Sequence, residues 1–163
     1  MTPSNSARVR IDYDPESRIS LKILLERIAS EAPVPIDLTI FTYMIDRGDN
    51  DAVSKNPPIA FCGNDEAMGE VLAGNVFFQL FEDRDRLVED EHAPDNRPDA
   101  MWQTTLCRVG KIELVGVIYI NTSGKIPEVP EWPEVRELLN RECPNLSRML
   151  HQLYSFFMMR GNP

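Results

Sequence analysis

The sequence lacks the segments that carry a chain into or across a membrane. It contains no run approaching the roughly 18 apolar residues that a transmembrane helix requires. Its first ten residues, MTPSNSARVR, are not the charged and then apolar leader of a secreted protein. We therefore expect a cytoplasmic protein.

Cysteine and histidine are scarce. The three cysteines, Cys62, Cys107 and Cys143, lie too far apart for the paired spacing of a zinc site, and their odd number does not suit a disulfide framework. The two histidines, His92 and His151, give no basis for a histidine-rich metal cluster or a Ser/His/Asp arrangement. Glycine-rich phosphate loops are also missing. These absences predict reduced thiols, no metal, no cofactor and no catalytic residues.

Positively charged residues are fewer than negatively charged ones. Lys and Arg number 17 against 26 Asp and Glu, which gives a formal net charge of −9. Because such a chain is not attracted to phosphate backbones or anionic lipid, we predict neither a nucleic-acid partner nor a membrane partner. Residues 82–99 carry eight of the acids and three arginines, and this long loop is predicted to be functional or mobile. His92 lies among these acids, but without calcium-loop spacing the segment is typical of a solvated surface.

What the sequence does contain is a pattern of helices and strands around one core. We expect a loose arm at residues 1–13 and a single domain at residues 14–160. A first helix is predicted after Asp14 and Pro15 because apolar residues then recur at helical spacing. A last helix is predicted over about residues 135–157, and Pro144 is expected to kink or split it.

Strands are predicted between these helices. Residues 36–45 alternate between an aliphatic set and a set that includes Phe41 and Tyr43. A shorter strand is expected at residues 57–63, a short helix at 64–74 and another strand at 75–81.

The segments WQTTLCRV and IELVGVIYIN predict a hairpin. Gly110 is the first of two loop residues, which suits a type II′ turn. A turn at Gly110 and Lys111 fixes the register of the two strands, and opposite residues then have compatible chemistry. The predicted pairs are Arg108 with Glu113, Cys107 with Leu114, and Trp102 with Tyr119.

This register divides the sheet into two faces. One face is aliphatic and is expected to lie beneath both helices, with Gly116 allowing a helix to approach closely. The other face is mixed and aromatic, and it is either a small-molecule pocket or a second core beneath long loops. The prediction is an α+β fold with a single antiparallel β-sheet and N- and C-terminal helices on one face. The predicted ligand-binding residues are Phe41, Tyr43, Cys62, Trp102, Thr104 and Tyr119.

The order of these elements resembles a GAF domain, a small-molecule sensor module with a central antiparallel sheet. The hairpin LCRVGKIELVGVIYINT is similar to the family's paired strands, and GNDEAMGEVLAGNVFFQLFEDRD is similar to its middle segment. The resemblance implies a non-catalytic, GAF-like domain with a small-molecule sensing, signalling or other regulatory role. Some GAF proteins, the free methionine sulfoxide reductases, work through cysteines, and here Cys62 alone is placed to reach the pocket. The chain departs from the family pattern at Cys107 and Arg108, where a proline is usual, and at Pro144.

A second interpretation is a small acidic module that binds another protein. In length, low pI and flanking helices the chain resembles the type III secretion chaperones. That fold has three strands before its middle helix, whereas this sequence indicates two. The partner is therefore either an unknown small molecule or a protein, and the sequence leaves open whether the chain forms a homodimer.

Overall fold

The computed structural model describes residues 15–63, 84–92, 98–122 and 124–161, with side chains in the last helix described as far as Tyr154. Within these ranges, six strands form one antiparallel sheet and two α-helices accompany it, so the predicted α+β class is confirmed. The helices are α1 (Pro15–Glu31) and α2 (Trp132–Gly161), with a 3-10 turn at Ile126–Glu128 before α2. The strands are β1 (Ile36–Asp46), β2 (Ala52–Lys55), β3 (Ala60–Cys62), β4 (Leu87–Glu89), β5 (Ala100–Val109) and β6 (Ile112–Thr122).

The strands lie in the order β2-β1-β6-β5-β4, and β3 also pairs with β1. β2 pairs with the end of β1 and β3 with its first half, so the two act as one interrupted edge strand. The sequence did not indicate β2, and the expected count of two strands before residue 64 is wrong. Three strands precede that residue, so the strand count does not argue against the second interpretation. β4 was also missed, because it lies inside the predicted acidic loop.

The hairpin turn is confirmed, but the register does not continue unchanged. Gly110 has a φ of 60° and starts the turn, and the next pairs bring Arg108 opposite Glu113 as predicted. A β-bulge between Thr105 and Cys107 then shifts the pairing by one residue. Trp102 therefore lies opposite Ile118, and the predicted Trp102–Tyr119 pair is wrong. Since neighbouring strand residues point to opposite faces, the extra residue turns each earlier residue of β5 over.

Both helices pack on one face of the sheet, which we call the helix face. Their apolar residues form one buried cluster with the aliphatic set of β1 and with Leu114 and Ile118 of β6. Gly116 permits this contact, because a Cβ atom there would lie 3.2 Å from Leu150 Cδ1 of α2. The ion pairs Arg27–Glu142 and Arg141–Glu31, each 3.3 Å long, join α1 to α2 at the surface.

Pro144 does not split the last helix, which runs unbroken from Trp132 to Gly161. Proline removes the hydrogen bond to the carbonyl four residues earlier, that of Asn140. Both residues lie on the exposed side of α2, where water can bond to that carbonyl. The predicted arm at residues 1–13, the Asp14 cap, the helix at 64–74 and the strand at 75–81 lie outside the described residues.

Candidate functional site

The opposite side of the sheet, which we call the ring face, forms a second buried cluster. Every member of this cluster belongs to a strand, and none is more than 4% exposed. It is separate from the cluster that contains the helices, so the sheet has two independent buried layers. The ring-face cluster consists of Phe41, Tyr43, Ile45, Met101, Val115, Val117 and Tyr119.

A short hydrogen-bonded chain crosses this apolar layer. The Tyr43 hydroxyl donates to Gln103 Oε1 at 2.9 Å, and Gln103 Nε2 donates to Met101 Sδ at 3.0 Å. Burial raises the pKa of Tyr43 to about 12, and the positive charge of Arg84 partly opposes this rise. Tyr43 therefore stays neutral at pH 7 and remains a hydrogen-bond donor.

The hydroxyl of Tyr119 is buried on the same face without such a bond. Its ring meets the Phe41 ring edge-on, with 4.7 Å between the centroids, an arrangement that aromatic pairs favour. The hydroxyl oxygen is shielded from solvent and has no hydrogen-bond partner in the structure as described. Burial, and to a lesser extent the nearby Tyr43, raises the pKa of Tyr119 above its ordinary value, so it is also a neutral donor.

Lys55 brings a positive charge to this face from the edge strand β2. It lies opposite Tyr43, and its Nζ atom is 4.9 Å from the centroid of the Phe41 ring. The ammonium nitrogen is shielded from solvent and has no hydrogen-bond partner among the described residues. Burial lowers the pKa of Lys55. Among the described residues, Lys55 Nζ contacts the Phe41 ring, and a cation–π contact of this kind is worth about 0.5–2 kcal/mol.

An ionic cluster closes the end of the ring face nearest the hairpin turn. Glu113 is only 4% exposed, and its carboxylate contacts Arg47 and Arg84 at 3.2 Å and Arg108 at 3.4 Å. Burial alone would raise the pKa of Glu113, but the hydrogen bond from Arg47 and the three positive charges outweigh it and hold this pKa below its ordinary value. The cluster fixes β6 to the residues after β1 and before β4.

The structure brings together three of the six predicted site residues. Phe41, Tyr43 and Tyr119 contribute to the same buried layer. The placement predicted for Trp102 and Thr104 is wrong, because the bulge turns both toward the helices. There Trp102 Nε1 donates to Ser147 Oγ at 2.8 Å, and Thr104 Oγ1 lies 3.2 Å from His151 Nε2.

Cys62 lies on the helix face as well, because it pairs with Leu38 and packs against the helix-side core. The expectation that it reaches the ring face is therefore wrong. Burial raises the pKa of Cys62, Cys107 and Cys143, so all three are thiols rather than reactive thiolates at pH 7. In the described ranges, no three His, Cys, Asp or Glu side chains converge as a metal site.

Sequence reasoning missed Lys55 and Gln103. Gln103 is recognisable only once the bulge is known, because the predicted register points it at the helices. Lys55 follows a turn-rich segment that gave no strand signal.

A depression of about 540 Å³ also opens beside the hairpin turn, but its walls are turn and strand-end residues rather than the ring-face cluster. They are Asp46, Gly48, Asp49, Val109, Gly110, Lys111 and Ile112.

Comparison with known proteins finds no relative of this chain. No protein-family model, no curated protein and no solved structure matches it. Among the helices that the structure describes, none combines the length and the apolar character needed to cross a membrane.

Proposed function

We propose that this chain is a non-catalytic, GAF-like regulatory domain of the cytoplasm whose ring face binds a small molecule. The observation that carries the proposal is the second buried layer. This layer combines aromatic rings with two donors, Tyr119 Oη and Lys55 Nζ, that lack acceptors among the described residues. Ligand sites are typically apolar with a few polar groups, and that is the composition of this face.

A regulatory role is supported by the way β5 links the two faces. Met101 and Gln103 point to the ring face, while the alternate residues Trp102 and Thr104 bond to α2. A shift of β5 caused by a ligand on the ring face is therefore transmitted directly to the last helix. In this proposal, α2 passes the change to a partner.

The tyrosines and the carboxylate of the ring face are not suited to acid–base catalysis near pH 7. Tyr43 and Tyr119 have raised pKa values, which makes them poor bases or nucleophiles at pH 7. Glu113 is held ionised by its arginines, so it cannot donate a proton to a substrate near neutral pH. These groups suit binding and orientation.

Native mass spectrometry of the purified protein tests the proposal. We expect a retained small molecule in addition to the mass of the chain, or a mass shift when metabolites are added. The matched variants are Met101→Ala on the ring face and Leu106→Ala on the opposite face of the same strand. Binding lost in M101A and kept in L106A supports a ring-face site. Binding that is never seen, or that is lost equally in both, contradicts the proposal.

A second candidate function is binding to another protein through α1. Ile19 and Ile23 lie one helical turn apart on α1, and they are 61% and 60% exposed. Two large aliphatic side chains exposed together are a common feature of interaction surfaces. Co-purification of one protein at equal stoichiometry, lost when both isoleucines are changed to serine, would favour this function over the first.

A further inference from the structure

Two buried donors lie against the same aromatic ring. Phe41 has the Lys55 ammonium 4.9 Å from its centroid and the Tyr119 ring 4.7 Å from its centroid. Neither Lys55 Nζ nor Tyr119 Oη has a hydrogen-bond partner in the structure as described, and both atoms are shielded from water. Each is therefore a donor without an acceptor among the described residues.

This arrangement is unfavourable unless something else binds there. A buried hydroxyl with no partner costs about 1–3 kcal/mol, and a buried ammonium with no counter-ion costs more. A single orphan donor is a small defect of packing. Two on one ring, one of them charged, form a local excess of donors and of positive charge.

Glu113, the carboxylate described on this face, is not a counter-ion for Lys55. Glu113 already has three arginines within 3.4 Å, so it has no unpaired charge to offer. The pKa of Lys55 is lowered by burial, with no contribution from a neighbouring acid. An anion that entered the ring face would thus meet a cation that is not paired with an acid of the described residues.

We infer that the ring face takes a small carboxylate with an aromatic or other apolar body. Its carboxylate accepts from Lys55 Nζ, a second acceptor on the same molecule takes the Tyr119 hydroxyl, and its body packs beside Phe41. This inference rests on the proposed ligand-binding function and narrows that function to one class of ligand. A phosphate fits less well, because it carries nearly two charges and Lys55 is a single cation with one neutral donor nearby.

Lys55 lies at an exposed edge of the sheet. It is the last residue of the edge strand β2, and the preceding Ala52, Val53 and Ser54 are exposed. An edge strand has one side free of pairing, so it can move without breaking the central ladder between β1 and β6.

Three probes of similar size test the charge requirement. Benzoate, benzamide and benzylamine share a ring and differ in carrying a negative charge, no charge or a positive charge. Isothermal titration of the full chain is expected to show benzoate binding more tightly than benzamide by about tenfold, because a charge-assisted hydrogen bond exceeds a neutral one by about that factor. Benzylamine is expected not to bind.

Two variants locate the binding. Lys55→Met is expected to lower benzoate affinity by about tenfold or more, and Lys111→Met, which removes an exposed lysine in the hairpin turn, is expected to leave it within about twofold. If K55M does not fold, reductive ¹³C-methylation of the wild-type lysines replaces it. The Lys55 methyl signal must then move on addition of benzoate, and its titration midpoint must rise.

The possible outcomes separate this inference from the function on which it rests. Equal binding of benzoate and benzamide, no binding of benzoate, or unchanged benzoate affinity in K55M overturns the carboxylate inference. If native mass spectrometry still shows a molecule held by the ring face, the binding function survives with a different ligand class. If it shows none, both fail.

Discussion

Replacing Tyr43 or Tyr119 by phenylalanine should change the free energy of unfolding in opposite directions. Tyr43 Oη donates to Gln103 Oε1 at 2.9 Å, whereas Tyr119 Oη has no hydrogen-bond partner in the structure as described. Both side chains are fully buried in the same cluster. Tyr43→Phe and Tyr119→Phe each remove one oxygen atom and preserve the ring, so the pair isolates the worth of each hydroxyl.

The magnitudes follow from the bonding of each group. Losing one partner of a buried hydrogen bond costs about 1–3 kcal/mol, so Y43F is expected to lower the free energy of unfolding by that amount. Removing the unbonded Tyr119 hydroxyl abolishes a desolvation cost, so Y119F is expected to raise the free energy of unfolding by about 1 kcal/mol. The two variants should then differ by at least about 2 kcal/mol, or roughly 4–8 °C in Tm for a chain of this size.

The assay is urea unfolding of ligand-free protein, followed by circular dichroism and repeated by thermal melting. Ligand-free protein is prepared by unfolding and refolding, because a bound molecule that uses the Tyr119 hydroxyl would reverse the sign of the effect. If Y119F loses as much stability as Y43F, the Tyr119 hydroxyl has an acceptor within the chain. That result would refute the reasoning from unused donors.

Three further predictions concern the rest of the structure. Gly116→Ala should destabilise the fold by about 1–3 kcal/mol in a urea titration, because the new Cβ atom would lie 3.2 Å from Leu150 Cδ1 of α2. Glu113→Gln should lower the free energy of unfolding by about 1–3 kcal/mol at pH 7, because it removes a charged hydrogen-bond acceptor, and it should flatten the acid side of the stability profile. The folded pKa of Glu113 is depressed, so its contribution is present above its ordinary pKa of 4.5 and is lost as pH falls through the folded value. Cys143, which is fully buried with a pKa raised to about 12, should resist an aromatic disulfide reagent in native protein and react at once in denaturant.

The first two of these predictions have a control variant. Gly110→Ala is the control for G116A. At Gly110 an added Cβ atom would meet nothing within 4 Å, but φ is 60°, so this variant shows the cost of backbone strain without crowding. Glu137→Gln removes an exposed acid of α2 and should leave the pH profile unchanged. An unchanged stability of G116A, an acid limb equally steep in E113Q and wild type, or rapid native labelling of Cys143 would each contradict the corresponding contact.

The sequence determined the two-sided character of the sheet wherever a strand is regular. β1 alternates without interruption, so its aliphatic set of Ile36, Leu38, Ile40 and Met44 lies on the face opposite to Phe41 and Tyr43, as predicted. Gly110 marks the turn because only a residue that tolerates positive φ suits that position. Gly116 correctly indicated where a helix approaches, because the absence of a side chain leaves room for Leu150.

The bulge in β5 could not be predicted in the same way. Residues 104–107 read Thr-Thr-Leu-Cys, with no glycine or proline to indicate an irregularity, and the pairs nearest the turn are the same with or without the bulge. One extra residue nevertheless exchanges the faces of Trp102 and Gln103, and it removes Trp102 and Thr104, two of the six predicted site residues, from the ring face. The unpaired state of the buried donors could not be predicted either, because a sequence does not show whether a hydroxyl or an ammonium group has an acceptor nearby.

The most direct test of the account is the electron density beside Lys55 Nζ and Tyr119 Oη in crystals of protein purified without refolding. The account predicts a bound small molecule with an acceptor at about 2.7–3.2 Å from each atom. Density in which both donors instead bond to carbonyl or carboxylate groups of the chain itself would contradict it.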